Sequence, residues 1–167
     1  MKEKHKISKY PSKNTKTETY NDGDTFVTKH YYDAKDAYVK ESIHLKDGIQ
    51  EIKHYTAQGI LSKLEHFVED KRDGQEIKYI VSKADKSIKS TKIYADGKLH
   101  GESITYNLHN KIIKHEVYAL GKLVLKYFRE DDSDQITKVE VIDKDNISNL
   151  PTIEYDKYTK NSSHSQE

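Results

Sequence analysis

Nine histidines, at positions 5, 30, 44, 54, 66, 100, 109, 115 and 164, are the residues of this chain best suited to metal ligation or proton transfer. Their spacing assembles neither chemistry locally. No H-x-H, H-x3-H or HExxH arrangement occurs, so no motif supplies paired ligands. His30, His54 and His66 recur near the middles of the repeating segments described below, where a chance cross-strand pair is the most that sequence offers. Carboxylates are abundant but stand among lysines, which reads as a cross-strand charge lattice rather than a dyad with divergent pKa values. With no cysteine, thiolate metal sites, Cys nucleophiles and disulfides are excluded. There is no glycine-rich phosphate loop and no nucleophile elbow. The expectation is a protein with no catalytic, cofactor-binding or metal residues. A small enzyme assembled from distant strands is an alternative.

Tyrosine is the other residue type with chemical reach: there are 13, against three Phe and no Trp. Tyr20, Tyr94 and Tyr118 lie three residues before a turn glycine, while Tyr31, Tyr32, Tyr55, Tyr79, Tyr106, Tyr127 and Phe128 lie five to nine residues after one. Such ladders pack a sheet, or present rigid amphipathic anchors to a partner. The candidate partner surface is centred on Tyr106, Tyr127 and Phe128, with Glu130, Asp131, Asp132 and Asp134 as an acidic rim.

The elements that position these residues follow from the turns. Asp22-Gly23, Asp47-Gly48, Asp73-Gly74, Asp96-Gly97 and Leu120-Gly121 recur with glycines 25, 26, 23 and 24 residues apart, and Asp145-Asn146 falls where a sixth would be. Asp-Gly supplies the positive φ of a tight hairpin turn, so Gly23, Gly48, Gly74, Gly97 and Gly121 are read as hairpin tips. A second turn signal lies half a period on: 33–36, 58–59, 83–85, 109–110 and 131–134. The intervals suit strands of about 6–8 residues, and Ile112–Tyr118 and Ile136–Ile142 are rich in β-branched residues. The expected fold is all-β: an open, twisted, single-layer antiparallel meander of about 10–12 short strands built from ~25-residue hairpin repeats. Pro11 and Pro151 stand near the two ends of the array, where they discourage end-to-end growth.

Composition agrees with a thin sheet. Hydrophobic and charged residues each make up 34% and the mean hydropathy is −0.98, too polar for a thick two-layer core. Formal net charge is +1, so no global field points to nucleic acid or to a membrane. Charge is nevertheless segregated: residues 1–16 carry six Lys and one Glu, and residues 130–157 carry nine acids and three Lys. Only Arg72 and Arg129 offer the guanidinium fork that phosphate recognition recruits. A nucleic-acid-associated protein using the basic arm and a Tyr/Lys face is the second alternative. Residues 1–14 read as a basic disordered tail, 15–158 as the repeat array and 159–167 as a second disordered tail. The absence of an apolar leader segment and of cysteine suggests a cytoplasmic protein.

The segment Tyr94-Ala-Asp-Gly-Lys-Leu-His-Gly-Glu-Ser-Ile-Thr-Tyr106 resembles one unit of the MORN-type repeats, and Tyr118-Ala-Leu-Gly-Lys-Leu and Tyr20-Asn-Asp-Gly23 resemble its opening. The chain is similar to the bacterial MORN-variant proteins, some of which are labelled antitoxin components of toxin–antitoxin systems. With units aligned on the turn glycines, the second glycine is present at Gly101 and missing elsewhere. The resemblance implies a non-enzymatic protein-binding module: an antitoxin or inhibitor that sequesters a toxin, effector or defence protein through one sheet face.

Overall fold

The computed structural model describes residues 5–81, 87–130 and 135–151. They form one open antiparallel sheet of thirteen strands. The strands are β1 (Lys6–Lys9), β2 (Thr15–Asp22), β3 (Thr25–Tyr31), β4 (Val39–Lys46), β5 (Ile49–Tyr55), β6 (Leu61–Val68), β7 (Lys71–Arg72), β8 (Gly74–Tyr79), β9 (Ile88–Ala95), β10 (Lys98–Tyr106), β11 (Ile112–Ala119), β12 (Lys122–Arg129) and β13 (Ile136–Val141). Each pairs with its sequence neighbours, except that short β7 and longer β8 together line β6. The meander is therefore as expected, slightly longer than the 10–12 strands read from turn spacing. One added strand is β1, which pairs with β2 inside the segment read as a tail. Pro11 consequently lies in the turn between these strands.

One end of the sheet is lined by two-residue turns at Gly23-Asp24, Asp47-Gly48, Glu69-Asp70, Asp96-Gly97 and Leu120-Gly121, each closing a paired hairpin. Three of the five glycine marks sit as expected. The first turn is displaced by one residue, with Gly23 as its leading central residue. The third mark is different in kind: the tip is Glu69-Asp70, and Gly74 opens β8 at the break after β7. Asp145-Asn146 makes no sixth hairpin. It falls within a 3-10 helix, Lys144–Asn149, capped by Asp143, whose side chain accepts the Asp145 N–H at 3.2 Å.

The opposite end carries longer loops, and four of its hairpins share one irregularity. The ladder shifts register so that Tyr31 pairs with Val39, Tyr55 with Leu61, Tyr79 with Ile88 and Tyr106 with Ile112. A bulge at each place re-aims the aromatic side chain as the strand ends. These are four of the tyrosines that the sequence places after the turn glycines.

The two faces of the sheet differ because side chains alternate along every strand. One face carries ion pairs across β5–β8. Lys63 lies 2.7 Å from Glu65 and 3.3 Å from Glu76, and Arg72 lies 2.9 Å from Glu65 beneath the ring of Tyr94. The stems of these cations roof over Glu65 and Glu76, which are buried on what would otherwise be a wet face. The other face is apolar at the C-terminal end, where Val117, Leu125 and Tyr127 are buried and the 3-10 helix lays Ile147 and Leu150 against them. This cap supplies a second layer where the chain has its most apolar strand, Lys122–Arg129. A return strand at 145–146 would have left those side chains exposed.

Candidate functional site

A hollow of about 510 Å³ opens at the long-loop end of β11 and β12. Its apolar lining includes Ile112, Ile113 and Phe128, and its rim includes Lys111, Lys114, Arg129 and Glu130. The ladder is interrupted on both sides, by register shifts at Thr105/Tyr106 and at Phe128/Arg129. These shifts separate the strand ends and leave room between them.

At its floor, His115 stacks on Tyr127 with ring centroids 4.4 Å apart. The guanidinium of Arg129 lies 2.8 Å from His115 Nδ1. Guanidinium nitrogens only donate, so Nδ1 accepts and the imidazole proton sits on Nε2. That N–H donates to Glu102 Oε1 at 3.0 Å. Three strands thus contribute one Glu102–His115–Arg129 chain. Both imidazole nitrogens are occupied, and the one basic lone pair, on Nδ1, accepts from Arg129. The arrangement orients Arg129 and makes the floor rigid.

The sequence candidates separate here. Tyr127 is 7% exposed and belongs to the apolar core, whereas Phe128 is 41% exposed on the opposite face beneath the ammonium of Lys138. Consecutive strand residues point to opposite faces, so these two cannot form one flat anchor pair. Tyr106 is half-buried and pairs with Ile112, which lines the hollow, but Tyr106 itself is not part of the lining. Glu130 is at the rim, and Asp131, Asp132 and Asp134 lie outside the described residues. Sequence reading missed His115, Glu102, Ile113 and Arg129. The scarcity of arginine was the one available signal for Arg129.

The lysine-flanked carboxylates are poised by competing effects. For Glu65, burial pushes the pKa up, but Lys63, Arg72 and His54 outweigh it and hold the carboxyl below its usual range. Glu116 behaves alike, with Lys114 and the Tyr118 hydroxyl overcoming burial. Tyr118, half-buried and donating to Glu116 at 2.8 Å, is pushed up to about 12.

Among the described residues no helix is long and apolar enough to cross a membrane. No family model, curated protein or solved structure matches this chain.

Proposed function

We propose that this protein is a non-enzymatic binding module that holds another protein at the long-loop end of β10–β13. The observation that carries this reading is the set of exposed apolar side chains around the hollow. Ile113 and Phe128 line it, Ile136 pairs with Arg129 at its rim, and Leu108 stands exposed in the adjoining loop. Water-exposed isoleucine, phenylalanine and leucine gathered at one end of the sheet, beside charged Lys111, Lys114 and Glu130, suit a protein interface. The engaged imidazole of His115 favours binding over catalysis. The MORN-variant resemblance favours an antitoxin or inhibitor that sequesters an effector.

The test is affinity capture from the native host with the wild type and the Ile113→Ser/Phe128→Ser double variant, followed by binding measurements on the purified partner. The expected result is a partner that the folded variant binds at least tenfold more weakly. Equal binding by both proteins would remove this surface from consideration.

A further inference from the structure

We infer that His44, Glu51 and His66 form a site for a divalent transition-metal ion of the zinc class. The three residues come from adjacent strands. His44 pairs with Glu51 between β4 and β5, and Glu51 pairs with His66 between β5 and β6. Direct cross-strand partners share a face with their Cβ atoms ~5 Å apart, so the two imidazoles flank one carboxylate. All three line one hollow of about 410 Å³ on the face opposite the buried Glu65 and Glu76, with Asp47 at its edge. Two neutral imidazoles and a carboxylate make the donor set of a zinc site with an open fourth position.

The hydrogen bonds already orient two of the three ligands. His66 Nδ1 lies 2.8 Å from the carbonyl of Gln75. A carbonyl only accepts, so Nδ1 carries a proton and Nε2 is the nitrogen turned to the site. Ligating histidines are held by this kind of second hydrogen bond. Nε2 stands 3.6 Å from Glu51 Oε2. That is long for a hydrogen bond, but two donors bound to one ion at ~2.0–2.1 Å in tetrahedral geometry lie roughly 3.4 Å apart. The other carboxylate oxygen, Oε1, is held by Lys53 at 2.6 Å, which leaves Oε2 for the ion. His44 is the ligand that must move. Its Nε2 is 2.6 Å from Ser42 Oγ, and among the described residues no three such groups yet converge on one point. The assignment requires the His44 side chain to rotate away from Ser42 and toward Glu51.

A row of similar composition on the other face supplies the control. His54 lies 3.4 Å from Glu41 and 3.0 Å from Glu65 through its two ring nitrogens, and Glu65 is tied to Lys63 and Arg72. With both nitrogens and the carboxylate engaged, that row offers no vacant donor.

Titration of the intact protein with zinc chloride, followed by calorimetry and by histidine ring proton resonances, tests the assignment. One ion is expected per chain, its binding reversed by EDTA and not reproduced by magnesium. The His44 and His66 resonances should shift while that of His54 stays in place. Glu51→Gln and His66→Gln should each weaken binding at least tenfold, and His54→Gln should leave it unchanged. Absence of zinc uptake by the wild type, unchanged affinity in a folded His44→Gln/His66→Gln variant, or an equal loss in His54→Gln would overturn it. Because the resonance shifts are read on the wild type, the test survives a variant that fails to fold.

Discussion

Gly74 and Gly101 occupy the same place in successive units, 27 residues apart, with φ of +100° and +124°. Gly74 opens β8 after the break from β7 and Gly101 lies in the register shift of β10 against β9, after which Glu76–Tyr79 and Ser103–Tyr106 continue in step. Lys71-Arg-Asp-Gly-Gln-Glu-Ile-Lys-Tyr79 and Lys98-Leu-His-Gly-Glu-Ser-Ile-Thr-Tyr106 agree at the Lys, Gly, Ile and Tyr positions. The following hairpin tip docks at each irregularity: the Gly97 N–H donates to the Arg72 carbonyl at 2.8 Å, and the Gly121 N–H donates to the Leu99 carbonyl at 2.7 Å. Gly74 and Gly101 therefore play one structural role in two successive repeats.

Alanine at either position meets strain and crowding together. A Cβ on Gly74 would lie 3.2 Å from His66 Cβ, and one on Gly101 would lie 3.3 Å from Ile93 Cβ. Gly74→Ala and Gly101→Ala should each destabilise by roughly 1–3 kcal/mol in urea unfolding. Gly48→Ala, with nothing within 4 Å of its Cβ, should lose less. A Gly101→Ala midpoint equal to that of the wild type would refute the shared role.

Leu120 holds φ of +49° at a turn tip while 53% exposed. Its side chain gains little from burial and bears the left-handed penalty. Leu120→Asn should stabilise by about 0.5–1 kcal/mol, because Asn-Gly favours this turn. A lowered thermal midpoint would contradict this.

Tyr127 and Phe128 should behave oppositely although adjacent. Tyr127→Ala opens a cavity under His115 and should cost about 3–5 kcal/mol. Phe128→Ala removes an exposed ring and should cost under about 1 kcal/mol. Chemical denaturation of both variants decides this, and a Phe128 variant as unstable as the Tyr127 one would place Phe128 in the core.

Acid should unfold the sheet through its buried glutamates. Glu65 and Glu116 have folded pKa values held below their usual 4.5, so their contribution is complete above that value. It is lost as pH falls through the lower folded values. Stability from urea melts should be flat from pH 7 to 5 with respect to these groups, then fall. Glu65→Gln/Glu116→Gln should start less stable and lose less on acidification. An acid limb of unchanged steepness in that variant would assign the loss to other groups.

Strand content and chain-order meander were determined by the sequence itself, since turn dipeptides at regular spacing and β-branched segments act locally. The same local signal could not assign Gly74. A glycine with positive φ serves a hairpin tip and a strand break equally well, and only its neighbours in space, His66 and the docked Gly97, distinguish them. Tyr127 and Phe128 were legible as aromatics, but the face each takes depends on register: Tyr127 pairs with His115 and Val139 on the capped face, and Phe128 with Lys138 on the other. The sixth turn signal failed because burying Val117 and Leu125 under Ile147 and Leu150 outweighed a local preference for a hairpin. The Glu102–His115–Arg129 chain and the His44–Glu51–His66 row belong wholly to tertiary structure. Each draws its residues from three strands, and cross-strand adjacency is set by pairing that no short spacing encodes.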